Sequence, residues 1–99
     1  MNDFQKKAIN AVTEATASPT IPHLEFTHVH GKKEDYFTAT AVRSGESFKI
    51  FVYKHEAGCM KNDTEWTIFE RPDFATEEAL IERFVAHVKA ALAGVAPPA

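Results

Sequence analysis

The central stretch of the chain, residues 35–53, reads DYFTATAVRSGESFKIFVY and decides the fold. Two segments rich in aromatic, β-branched and Thr residues flank the dipeptide Ser44-Gly45, and such residues favour strands. In a two-residue connection Gly readily supplies the positive φ that a tight hairpin turn requires. The turn therefore predicts an antiparallel hairpin in which Arg43 faces Glu46, a favourable cross-strand pair.

This register divides the side chains of the hairpin into two faces. One face pairs Ala41 with Phe48, Ala39 with Ile50 and Phe37 with Val52. The other face pairs Thr40 with Lys49, Thr38 with Phe51 and Tyr36 with Tyr53. Because a slip of one residue would exchange the two faces, the apolar set specifies the register and is expected to line the core.

Two further strands are predicted on either side of this hairpin. Residues 23–30 form the first, and a four-residue loop, Gly31–Glu34, places its apolar residues beside those of the second strand. Residues 55–63 are predicted to be a long loop, which leaves the register of the last strand, residues 64–70, open. If alternation holds there, Trp66 and Ile68 face the core and Thr67 and Phe69 face outward.

Helices are predicted at both ends of the chain. Residues 3–16 begin with a capping residue, Asp3, and carry a thin apolar stripe. The second helix follows the N-cap Thr76 and stops at Gly94. Its broad apolar stripe consists of Leu80, Ile81, Phe84, Val85, Val88, Ala91 and Leu92.

The order α-β-β-β-β-α predicts an α+β fold, a four-stranded antiparallel meander with the N- and C-terminal helices packed on one face. A single domain spans residues 1–94, and residues 95–99 form a flexible tail. The expected core comprises Leu24, Phe26, Phe37, Phe48, Ile50, Val52, Trp66, Ile68, Leu80, Phe84, Val88 and Leu92. The alternative, with the first helix on the opposite face, would desolvate Glu25, Thr40 and Lys49.

Composition excludes several classes of protein. The chain has 99 residues, of which 44% are hydrophobic, enough for one modest core. It has no apolar run long enough to span a membrane. A net charge of −3, and Glu77 and Glu78 at the start of the second helix, argue against nucleic-acid binding. The single cysteine, Cys59, excludes an internal disulfide and a Cys-rich zinc site. The first residues lack the apolar segment of a secretory signal, so a cytoplasmic protein is expected.

One cluster has the residue types of a metal centre. His28 and His30 lie two positions apart on one strand face, and Asp35 falls opposite His30 in the predicted hairpin. Two imidazoles and a carboxylate are the ligands of many zinc and iron sites. However, Lys54 faces Asp35 in the same register and would oppose a cation. The alternative is that Asp35 only bonds His30, while His28 packs half-buried beside Phe37.

The face without helices carries the second candidate site. Its aromatic and apolar residues near one end of the sheet are Val29, Tyr36, Phe51, Tyr53 and Phe69. An apolar patch on an uncovered face is typical of an interface. The alternative is that these residues occupy ordinary surface positions of the strands, because aromatic and β-branched residues favour strands. The sequence has no P-loop, HExxH or CxxC motif. We therefore expect a non-catalytic domain without cofactor that binds another protein or a second copy of itself. The alternative is a small metal-dependent enzyme or metal-binding protein that uses His28, His30 and Asp35.

Overall fold

Across residues 1–95, the part of the chain that the computed structural model describes, two helices flank a five-stranded antiparallel sheet. The elements are α1 (Asp3–Ala15), β1 (Thr27–His30), β2 (Asp35–Arg43), β3 (Glu46–Val52), β4 (Glu56–Lys61), β5 (Glu65–Glu70), a 3₁₀ turn (Arg71–Asp73) and α2 (Glu77–Ala93). Each strand pairs with its neighbour in the chain. The predicted α+β class is confirmed, with one strand more than expected. The predicted tail beyond Val95 lies outside the described residues.

The predicted pairing of the central hairpins is confirmed. β2 and β3 pair from Arg43 opposite Glu46 to Phe37 opposite Val52. Ser44 and Gly45 have φ angles of 52° and 79°, the left-handed values of a type I′ turn, whose twist matches that of the strands. β1 pairs with β2 in the predicted register but starts at Thr27, four residues later than expected.

The additional strand, β4, corrects the prediction of a long loop over residues 55–63. Its centre, Ala57-Gly58-Cys59, consists of residues with weak strand preference, so no pattern marks it in the sequence. Tertiary packing holds it in place, because Ala57 and Cys59 are buried opposite Val52 and Ile50 of β3.

The faces of β5 were also predicted wrongly. β4 and a tight turn set its register, so that Phe69 lies opposite Ala57. Phe69 therefore faces the helices, with its ring centroid 6.4 Å from that of Phe84. Trp66 and Ile68 lie on the outer face instead of in the core, and Trp66 is 42% exposed.

The core lies between the sheet and the two helices, which pack side by side on the same face as predicted. Its largest fully buried side chains are Phe84, Ile50, Leu80, Leu92, Val12, Val52 and Val88. Asn2, rather than Asp3, caps α1 in a reciprocal pair of hydrogen bonds with Gln5. Thr76 caps α2, and Gly94 ends it with a φ of 76°. Within residues 1–95, neither helix has both the length and the apolarity needed to cross a bilayer.

Candidate functional site

Four aromatic rings meet on the outer face of the sheet. Tyr36, Phe51, Tyr53 and Trp66, here called the aromatic cluster, belong to or adjoin β2, β3 and β5. The ring of Tyr36 lies 5.0 Å from that of Tyr53 and 6.0 Å from that of Phe51, between centroids. The ring of Phe51 lies 5.2 Å from that of Trp66 in an edge-on arrangement. These separations are those of favourable aromatic pairs, so the cluster is continuous.

Gly58 in β4 makes this continuity possible. It lies between Phe51 of β3 and Ile68 of β5, and the indole of Trp66 covers it. A Cβ atom at Gly58 would lie 3.2 Å from the Trp66 ring and 2.7 Å from the backbone oxygen of Thr67. A side chain here would therefore displace β4 or the indole ring of Trp66. Either displacement would break the contact between the rings of Phe51 and Trp66.

Of the residues predicted for this surface, the structure places four on the outer face. Tyr36, Phe51 and Tyr53 form the cluster, and Val29, paired with Tyr36, is half-buried beside it. Phe69 does not belong to it, as shown above. Trp66 takes its place on the outer face, and sequence reasoning missed it because the register of β5 was open.

Unpaired charges surround the aromatic cluster. Glu34 and Glu56 line a shallow depression beside Tyr36 and Tyr53, together with Lys32 and Lys33 of the β1–β2 loop. Burial, followed by the charges of Tyr36, Glu56 and Glu34, raises the pKa of Tyr53. Burial, Glu70 and Glu34 likewise raise the pKa of Glu56. Among residues 1–95, neither lysine forms an ion pair with these carboxylates.

The opposite end of the outer face is polar. Lys49 forms an ion pair of 3.1 Å with Asp63, and Thr40 is exposed. Val42, which is 68% exposed, stands near the Ser44 turn, away from the aromatic cluster. The apolar surface is thus concentrated at one end, as the pattern of the sequence indicated.

The histidine cluster lies at the same end of the sheet but projects from the other face. His28 Nε2 lies 3.3 Å from one oxygen of the Asp35 carboxylate, and His30 Nδ1 lies 3.3 Å from the other. The His28 ring stacks on Phe37 with a centroid distance of 5.0 Å, as expected, and its side chain is 42% exposed. The β2–β3 ladder ends at Phe37 and Val52, and within residues 1–95 Lys54 makes no ion pair with Asp35. The predicted pairing of Lys54 with Asp35 therefore falls beyond the end of the ladder.

A cleft between the inner face and the end of α2 was not predicted. It encloses about 340 Å³, and its walls come from five elements and the turn after α2, so no sequence window shows it. The lining residues are Arg43, Glu46, Phe48, Cys59, Lys61, Glu65, Thr67, His87, Ala91, Gly94 and Val95. A histidine among the apolar positions of α2, His87, is the only local signal in the sequence.

The groups in this cleft are poorly suited to covalent chemistry. Burial raises the pKa of the Cys59 thiol to about 11, so it stays protonated and a weak nucleophile at neutral pH. Burial lowers the pKa of His87, which keeps its imidazole neutral. At the mouth of the cleft, Lys61 Nζ is bound 2.7 Å from a carboxylate oxygen of Glu46. The cleft thus offers a neutral imidazole but no activated nucleophile beside it.

Comparison with known proteins adds no assignment. A scan against protein-family models, a search of curated proteins and a search of solved structures each find no match to the chain. Function must therefore be inferred from the chemistry of the aromatic cluster, the histidine cluster and the cleft.

Proposed function

We propose that this protein is a non-catalytic interaction module that forms a homodimer through the outer face of its sheet. The observation that carries the proposal is the aromatic cluster, four adjoining rings on a face that neither helix covers. Aromatic side chains are enriched at protein interfaces, and a contiguous apolar patch rimmed by polar groups is typical of one. A domain of this size also gains stability from association.

The charges around the aromatic cluster favour a second copy as the occupant. Lys32 and Lys33 lie at the same end of the face as Glu34, Glu56 and Glu70. In the described part of the chain they form no ion pair with these carboxylates. In an isologous dimer each surface patch meets itself about a two-fold axis. The lysines of one subunit then approach the carboxylates of the other, so the patch is complementary to its own copy.

The edges of the sheet favour contact through the face rather than by strand addition. The edge strands are β1 and β5, which correspond to the first and fourth strands of the predicted meander. Pro22 precedes β1, Pro72 follows β5, and both strands carry charged or titratable side chains. Proline and charge at edges discourage pairing between sheets, which leaves the outer face as the surface for association.

Sedimentation at micromolar concentration tests the proposal. We expect a dimer for the wild type and monomers for Phe51→Lys and Tyr53→Glu, with circular dichroism unchanged. Trp66→Glu serves as a third variant at an exposed position, so that the test stays decisive if Phe51→Lys does not fold. The control, Val42→Lys, adds a charge to the outer face away from the aromatic cluster and should remain dimeric. A monomeric wild type, or a dimer indifferent to all three substitutions, would exclude this face.

A mixing experiment tests whether the partner is a second copy. The double variant Lys32→Glu/Lys33→Glu and the double variant Glu34→Lys/Glu56→Lys should each dimerise less than the wild type. When mixed, they should form a heterodimer, because opposite charges meet again across the two-fold axis. A mixture that behaves as the sum of its components would contradict the charge arrangement, and the cluster would then fit a different protein partner.

A further inference from the structure

We infer that His28, His30 and Asp35 form a surface binding site for a divalent transition metal ion such as Zn²⁺. The two imidazole nitrogens and a carboxylate oxygen all lie within 4.8 Å of one another. The site is on the face opposite the aromatic cluster, so the inference goes beyond the proposed dimer and does not depend on it.

The distances are close to those of a formed site. In tetrahedral zinc sites the metal lies about 2.0–2.2 Å from nitrogen and oxygen ligands, which separates the ligand atoms by roughly 3.4 Å. Asp35 Oδ2 lies 3.3 Å from His28 Nε2, and Asp35 Oδ1 lies 3.3 Å from His30 Nδ1. With one ligand atom from each residue, no pair of atoms is separated by more than 4.8 Å, so movements of about 1 Å bring all three to the separations of a bound site. The side chain of His30, which is 81% exposed, has room for this adjustment.

The fold holds the three residues together without a metal. His28 and His30 occupy alternate positions of β1, so their side chains leave the same face of the strand. Asp35 is the ladder partner of His30, and the loop between them closes the hairpin. Stacking of His28 on Phe37 restricts the first imidazole. Binding of a metal ion therefore requires little further ordering of these three side chains.

The ligand types select the class of ion. Two imidazoles and one carboxylate favour Zn²⁺, Cu²⁺ and Ni²⁺ over Mg²⁺ and Ca²⁺, which prefer oxygen ligands. Three protein ligands leave at least one position for water or another donor, the arrangement of an open site. Lys32 and Lys33 belong to the loop between His30 and Asp35. They line the depression on the outer face, beside Tyr36 and Tyr53, which is the face opposite the proposed metal site.

Titration of untagged protein with Zn²⁺, followed by calorimetry and by the imidazole signals in NMR spectra, tests the inference. We expect one equivalent to bind per chain, with the signals of His28 and His30 shifted. His28→Ala and Asp35→Asn should each weaken binding at least tenfold, since loss even of an outer partner of a metal ligand costs 10–100-fold. His23→Ala, which removes another exposed histidine, is the matched control and should leave the affinity unchanged.

Three outcomes would overturn the inference. These are no binding at micromolar protein, binding that His28→Ala leaves intact, and binding that His23→Ala weakens equally. Because the ligand side chains are exposed, the variants are expected to fold, which circular dichroism checks. The monomeric variant Trp66→Glu should bind Zn²⁺ as the wild type does. Retained binding in that variant separates this site from the dimer, so that either proposal can fail alone.

Discussion

The two faces of the sheet differ in how far their side chains are covered. On the face under the helices, β2 and β4 contribute small residues, Ala39, Ala41 and Ala57, all buried. On the uncovered face the same strands and their neighbours carry Tyr36, Phe51 and Trp66. The inner side chains are covered by α1 and α2, while the large rings on the outer face bury only part of their surface. The difference is that the helices close the inner face, whereas the aromatic cluster on the outer face stays partly exposed.

The largest expected effect is the loss of a large side chain from the inner face. Phe84 is fully buried between α2 and the sheet, so Phe84→Ala should lower the free energy of unfolding by about 3–5 kcal/mol. Val42→Ala, on the outer face at an exposed position, should change it by less than about 0.5 kcal/mol. Urea unfolding of both variants, at a concentration where oligomeric state is known, makes the comparison. Similar losses at the two positions would contradict the assignment of faces.

A smaller effect is expected at Gly58, where neighbouring atoms of β5 leave no room for a side chain. Gly58→Ala places a Cβ atom 2.7 Å from the backbone oxygen of Thr67, and the cost should be about 1–3 kcal/mol. Because the obstructing atom belongs to the backbone, most of the loss in unfolding free energy should persist when Gly58→Ala is made in a Trp66→Ala protein. Thermal or urea unfolding measures this loss. If Trp66→Ala removed the whole cost of Gly58→Ala, the indole ring rather than the Thr67 backbone would be the atom group that obstructs the added Cβ.

The smallest effect is expected from His87, at the border of the inner face. Burial lowers its pKa, so the folded state binds fewer protons than the unfolded state. Stability due to this group is complete above the ordinary pKa, near 6.5, and is lost as the pH falls toward the lower folded value. The unfolding midpoint of the wild type should therefore drop more than that of His87→Gln between pH 7.5 and 5.5. Parallel changes in the two proteins would show that His87 is solvated.

Glu56 titrates with the opposite sign and must be separated from this measurement. Its raised pKa means that the folded state binds a proton more readily than the unfolded state. Stability from this group is therefore present below the ordinary pKa of a glutamate and is lost as the pH rises through the folded value. Taking the difference between the wild type and His87→Gln removes this contribution, because Glu56 is common to both.

The strength of local signals explains which elements could be predicted. The Ser44-Gly45 turn specifies its own geometry, and the alternation on both strands leaves one register that keeps apolar residues together. Thr76 and Gly94 mark the ends of α2 in the same local way. In contrast, β4 has a weak pattern because its inner residues are small, and its omission left the register of β5 undetermined. The exchange of Phe69 and Trp66 between the faces followed from that single omission.

The sequence by itself therefore determined the α+β class, the central hairpins with their pairing, the two ends of α2 and the proximity of His28, His30 and Asp35. Each of these depends on contacts between residues that are near in the chain or joined by a short turn. Only the tertiary structure decided β4, the outer position of Trp66 and the cleft around His87. Those features depend on which distant side chains share a buried volume, since Ala57 and Cys59 become a strand only when Ile50, Val52 and α2 enclose them.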